Sequence, residues 1–259
     1  LSHYLPTKFT LTKNYTITIT SQKTHTKNVM DLTQNKPIII SAGIGGHYVA
    51  GIDRLERSLY YEGWAGDMKF WRNEYPFGCP EHAGDGQYNF KPFCFRDVFE
   101  HGRKVCVWAD ASFFCVRNPM PLFDYVNEFG LYFFKSGYSL AETATDKLLQ
   151  YANVSREELY DISEFATGLI GINIDNPNGK EFFTKWEEYR AAGMFGGNRV
   201  HDLNDSSHPS FKFSRQDQSA ASMILYKMGI KTAGETMDFQ AYKDTRHNPD
   251  KILFFIGGI

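Results

Sequence analysis

The chain has 259 residues, 42% of them hydrophobic and 16% aromatic, enough to bury a full core and better suited to one large domain than to two small ones. Its 28 Lys and Arg stand against 30 Asp and Glu, a balance that argues against non-specific nucleic-acid binding and against a polybasic membrane anchor. No apolar run reaches the roughly 18 residues that a bilayer span needs, the closing Ile252–Ile256 included.

Residues 1–36 alternate Thr with Phe9, Leu11, Tyr15, Ile17 and Ile19, which predicts a β-hairpin or edge strand as an extension ahead of a single domain. Ile38-Ile39-Ile40-Ser41-Ala42 is a short buried strand. Gly43-Ile44-Gly45-Gly46 follows it, and a glycine turn between strand and helix lets backbone N–H groups approach an anion. The spacing matches neither G-x-G-x-x-G nor a Walker A loop, so a plain connection is the competing reading. Tyr48 to Tyr61 places Val49, Ile52, Leu55 and Leu59 on one face of a helix, and Met68–Trp71 completes a β-α-β unit, for which a right-handed crossover predicts a parallel sheet.

Residues 73–90 read as a long surface loop, and Lys91–Glu100 as a helix with Pro92 in its first turn. Val105 to Pro119 is an apolar run with one carboxylate inside it, Asp110. A lone charge there costs several kcal/mol unless it is paired, bound to a metal or placed at a cleft, and ligands bind at the carboxyl ends of strands in open α/β sheets. Asp110 is therefore the first candidate functional residue.

Pro119–Phe123 reads as a Pro-bounded turn, Leu131–Phe134 as a strand, and 139–162 as helical, with Ser155 and Glu158 as a cap signature. Phe165–Pro177 reads as a small-residue turn opening a strand, and Gly179–Ala192 as a helix with a core-facing aromatic stripe. After a loop at 193–210, Arg215-Gln216-Asp217-Gln218-Ser219 opens a last helix, its acid suiting the helix dipole.

Several of these stretches together resemble the nucleotide-sugar glycosyltransferases of the GT-A fold. Val107-Trp108-Ala109-Asp110-Ala111-Ser112 with Arg117–Phe123 is similar to their apolar strand, D-x-D motif and Pro-bounded turn. Lys91-Pro92-Phe93 is similar to the helix before that strand. Thr167–Asn173 resembles their acceptor-side strand, and Arg215–Ser219 their D-Q helix start. The four stretches, in this order, span residues 37–235. The resemblance implies a Rossmann-like, mixed, mostly parallel α/β sheet flanked by helices. It also implies transfer of a sugar from a UDP- or GDP-linked donor to a glycan or other hydroxyl acceptor.

On that resemblance, Ala42, Gly43, Gly45, Arg54, Lys91, Asp110, Ala111 and Ser112 are expected at the nucleotide sugar. Arg54 is alternatively a helix charge paired near Asp53 and Glu56. The family's two carboxylates hold Mn2+ or Mg2+ against the diphosphate, but the second is Ser112 here. Three readings follow: Asp110 and Ser112 bind metal with a late His, foremost His247 and then His201 or His208; Asp110 contacts only the ribose; or catalysis is lost. Asp217 and Glu164 are the candidate acceptor bases, with an N-terminal helix cap as the competing role for Asp217. A carbohydrate-binding or assembly protein on the same scaffold is the alternative function. A nucleotidyltransferase would require a basic glycine-rich N-terminal signature that the chain lacks.

The four cysteines form no C-x-x-C pair and favour a reducing, cytoplasmic setting. Sequons at Asn14, Asn153 and Asn204 point instead to the Golgi lumen, given an anchor ahead of Leu1.

Overall fold

The computed structural model describes residues 36–82, 88–196, 205–230, 239–242 and 251–257. The Thr-rich stretch ahead of Lys36, His201, His247 and the sequons at Asn14 and Asn204 lie outside the described residues.

The strand β1 (Ile38–Gly43), the helix α1 (Gly46–Tyr61) and the strand β2 (Asp67–Arg72) form the expected β-α-β unit, with β1 and β2 parallel. Next come α2 (Phe90–Glu100), β3 (Val105–Ala109) and β4 (Phe113–Cys115), so the run around Asp110 is two strands joined by a turn. After α3 (Met120–Phe129) and β5 (Leu131–Ser139), two short helices, α4 (Leu140–Thr143) and α5 (Asp146–Ala152), lead to β6 (Ser163–Asn173). Helices α6 (Pro177–Ala191) and α7 (Asp217–Lys227) and the short strands β7 (Gln240–Tyr242) and β8 (Phe254–Ile256) complete the described chain.

The main sheet has the order β2-β1-β3-β6-β5. β1 is parallel to both β2 and β3, while β6 is antiparallel to both of its neighbours. Four strands therefore run one way and β6 alone is reversed, which makes this a mixed, mostly parallel sheet. A second sheet, β4-β8-β7, forms beyond the turn that follows β3.

The alternation of β1 sorts the core onto the two faces. Ile38 and Ile40 join one cluster with Phe95, Phe133, Phe182, Trp186 and Ile224, against α2, α6 and α7. Ile39 joins the other with Leu55, Leu59, Phe123, Val126 and Phe254, against α1, α3 and the small sheet. Fully burying each such side chain contributes about 1.5–3 kcal/mol.

Three local expectations are corrected. Pro119–Phe123 is not a plain turn but the start of α3, with Pro121 in its first turn, where a missing N–H costs nothing, and Gly130 closing it in the left-handed conformation at φ 85°. Thr167-Gly168 is not a turn but the interior of β6. The Ser155–Glu158 signature, in which Ser155 N–H donates to Glu158 Oε1 at 2.9 Å, opens only a short 3₁₀ turn at Glu157–Leu159. A complete capping box sits instead at Ser139 and Glu142.

Candidate functional site

β3 stops at Ala109 because Asp110 turns out of the sheet. Its N–H still donates to Gly168 O at 2.8 Å, while its own carbonyl accepts from Phe113 N at 2.9 Å, closing a turn over Asp110–Phe113. That turn needs close backbone approach from two sides. A Cβ on Gly51 of α1 would lie 2.3 Å from Ala111 O, and one on Gly168 would lie 3.3 Å from Asp110 Oδ2. Two glycines far apart in the chain therefore make the room in which Asp110 sits.

The Asp110 carboxylate is 37% exposed and faces a cleft of 260 Å3 at the C-terminal ends of β1 and β3. Its Oδ1 accepts from Trp108 Nε1 at 2.7 Å and lies 3.5 Å from Lys91 Nζ. Lys91, on the first turn of α2, is itself only 3% exposed. Its ammonium lies 3.1 Å from Asp217 Oδ2 and donates to Thr167 O and Oγ1 at 3.0 and 3.2 Å. Burial opposes the charge on Lys91, but the carboxylates of Asp110 and Asp217 outweigh it and hold its pKa above the ordinary lysine value. Burial likewise pushes the Asp110 carboxyl up, and Lys91 and the Trp108 N–H pull back only part of that rise.

Asp217 is fixed by an unusual backbone. Gln216, just before α7, has φ 45°, a left-handed value that L side chains rarely adopt, and the turn delivers Asp217 into the interior. Gln218 continues the network: its Nε2 donates to Glu164 Oε2 at 2.7 Å, and its Oε1 accepts from Arg215 Nη2 at 3.1 Å. Glu164 is fully buried, and it also accepts from Ser136 Oγ at 2.7 Å and Ser219 Oγ at 3.0 Å.

The opposite wall of the cleft is aromatic. Phe90 stands 5.8 Å from Trp108 and stacks on Tyr75 at 5.8 Å, while His82 meets Tyr88 edge-on at 4.8 Å. His82 Nδ1 accepts from Tyr88 N at 2.9 Å, and burial lowers its pKa, so the ring is neutral at pH 7 with its proton on Nε2. Ala42, Gly43, Ala111 and Ser112 line the floor with Asp110. Gly45 takes φ 87° and donates its N–H to Asn73 Oδ1 at 3.0 Å; no side chain caps the start of α1 among the described residues.

No protein-family model matches the chain, and no curated protein is similar to it. Among solved structures, a glycosyltransferase involved in the glycosylation of the major capsid of PBCV-1 is similar at a TM-score of 0.47 and 9% identity. The match covers 85% of this chain and 92% of that one.

The candidate residues thus fall into groups. Lys91, Asp110 and Asp217 converge on one ion cluster, and Ala42, Gly43, Ala111 and Ser112 line the cleft. Arg54 pairs with neither Asp53 nor Glu56, which both bind Arg72. Its Nη2 donates to Ser112 O at 2.9 Å and Gly257 O at 3.0 Å, with Phe114 under the guanidinium, so it ties α1 to the Asp110 turn. His208 sits apart from the cleft lining, its Nδ1 accepting from Ser210 N at 3.2 Å. Trp108 and Thr167 lie in the stretches that carry the resemblance but have no role of their own in it, and the 75–90 aromatics are not singled out by the sequence, their only signal being aromatic residues in a stretch rich in Gly and Pro.

The donors among the described residues do not fit a divalent cation. An ammonium, not a second carboxylate, faces Asp110, and among the described residues no three His, Cys, Asp or Glu side chains gather to hold a metal. No described helix is long and apolar enough to cross a membrane.

Proposed function

We propose that this chain is a glycosyltransferase that moves a sugar from a UDP- or GDP-linked donor to a hydroxyl of a glycan acceptor. The observation that carries the reading is the Asp110 carboxylate, which opens at the end of a central strand into a cleft with an aromatic wall. Ligands bind at this end of the strands in open α/β sheets. The order of the Lys91, Asp110, Thr167 and Asp217 motifs, which resembles that of the GT-A enzymes, supports the same reading.

In this reading the rings of Tyr75, Phe90 and His82 receive the base. The start of α1, which no side chain caps among the described residues, offers backbone N–H groups to the diphosphate, while Gly43 lines the cleft beside it and the Gly45 N–H is held by Asn73 Oδ1. Asp110 accepts hydroxyls of the ribose or the sugar. Transfer forms a bond from the acceptor oxygen to the anomeric carbon; the bond to the diphosphate breaks, the diphosphate leaves with its electron pair, and the proton of the acceptor hydroxyl passes to the departing diphosphate. Lys91 supports Asp110 from beneath, and Asp217 and Glu164 are positioning residues that act through Lys91 and Gln218.

A carbohydrate-binding protein on the same scaffold is the second reading. It is favoured by Asp110 being the only carboxylate among the described residues of the cleft lining. Thermal unfolding with UDP, GDP, CDP and their sugars separates the two. A nucleotide present at ~100 times its Kd stabilises the fold by about 2.7 kcal/mol. Stabilisation by free sugar and by no nucleotide would select the binding protein.

A further inference from the structure

The space between the two acids of this cluster is already filled. Lys91 Nζ lies within 3.1 Å of Asp217 Oδ2 and 3.5 Å of Asp110 Oδ1, and Thr167 supplies two more oxygens at 3.0 and 3.2 Å. Four oxygens thus surround one tethered ammonium that has three protons to give. A hard divalent ion bound to Asp110 would lie beside that ammonium, with like-charge repulsion, and the second acid of the cluster, Asp217, is already taken by Lys91. Ser112 stands where the resemblance expects the second acid, and its carbonyl is engaged by Arg54 at 2.9 Å and by Gly257 N at 3.0 Å.

The contacts to Asp110 leave it suited to another task. Trp108 and Lys91 both approach Oδ1, and the side chain as a whole remains 37% exposed at the cleft. A carboxylate fixed through one oxygen and exposed at a cleft is an acceptor for a ligand hydroxyl.

We propose that the cleft binds its nucleoside diphosphate sugar without a divalent cation: Lys91 is the resident cation to which Asp110 and Asp217 are committed, and Asp110 accepts a hydroxyl of the donor. The inference rests on the donor reading above. It places the specificity of Asp110 in hydroxyl recognition, and it leaves the diphosphate to the backbone at the start of α1.

The test uses the whole chain stripped of metal. Affinity for UDP-, GDP- and CDP-sugars is measured by calorimetry in EDTA and again with Mn2+, and Mn2+ occupancy is followed by electron paramagnetic resonance. Binding of one donor in EDTA, tightened less than about threefold by Mn2+, is expected. Tightening of more than about tenfold, with Mn2+ bound in the resonance signal, overturns the inference and leaves the donor reading standing. Binding of no nucleotide in either arm overturns both. Lys91→Met is expected to lose more than about tenfold of the EDTA-arm affinity while remaining folded by circular dichroism, and unchanged affinity in a folded variant also overturns the inference. If Lys91→Met does not fold, Lys91→Arg keeps the charge. It is expected to bind in EDTA, and a new requirement for Mn2+ in that variant would count against the proposal.

Discussion

Burial raises the Asp110 pKa, so its ionised form is less favourable in the folded chain than in the unfolded one. The stability linked to this group is greatest below its ordinary value of 3.8 and declines as the pH rises through the higher folded value. Asp110→Asn removes that burden and keeps an oxygen for the Trp108 N–H. Because it also takes from the buried Lys91 one of its two carboxylates, the variant is expected to melt at pH 7 at or somewhat below the parent, while the shift induced by donor disappears; an intact ligand shift would contradict this. Lys91 behaves oppositely in consequence, though its pKa also rises. Its contribution is fully present below 10.5 and is lost as the pH passes the raised folded value. Lys91→Met strands the buried Asp217 carboxylate, and breaking a buried pair costs about 3–5 kcal/mol. Urea unfolding at pH 7 should show a loss of this size, and the gap between parent and variant should close at strongly alkaline pH.

At the scale of elements, α1 is pressed onto the Asp110 turn at one glycine. Gly51→Ala would put a Cβ 2.3 Å from Ala111 O, a backbone atom that cannot swing aside, whereas Gly46→Ala meets nothing within 4 Å. Overpacking of this kind costs about 1–3 kcal/mol, so Gly51→Ala is expected to lower the denaturant midpoint and weaken donor binding, with Gly46→Ala near neutral in both. The sequence made β1, α1, β2, α2 and β3 legible because their apolar periods are regular and Gly and Pro bound them. It hid α3, since two prolines around Met120 also read as a turn, and it hid the continuity of β6 through Thr167-Gly168, since only the approach of Asp110 and Phe113 shows why small residues stand in that strand. Asp110 was legible as a charge inside an apolar run. The commitment of Asp217 to Lys91 was not, because pairing across 126 positions leaves no local pattern.

For the molecule as a whole, the two faces of the main sheet carry unequal relations to the cleft. On one face, Phe182 packs against Phe133 at 4.9 Å and Trp186 at 5.7 Å, within the cluster under α6 and α7. On the other, Phe254 of β8 meets Phe113 at 6.4 Å, and β8 pairs with β4, the strand that leaves the Asp110 turn. Arg54 joins the same assembly by holding Ser112 O and Gly257 O together. Both phenylalanines are fully buried, so truncation to Ala should cost each fold a similar amount, about 3–5 kcal/mol. Their effects on binding should differ. With donor affinity measured on the folded fraction at low temperature, Phe182→Ala is expected to bind as the parent does, because its cavity opens away from the turn. Phe254→Ala should weaken binding, because the small sheet that fixes β4, and through it Ser112 and Asp110, is loosened. Equal affinities for the two variants would mean that the turn is held by α1 and β6 alone and that the small sheet contributes stability without positioning the site.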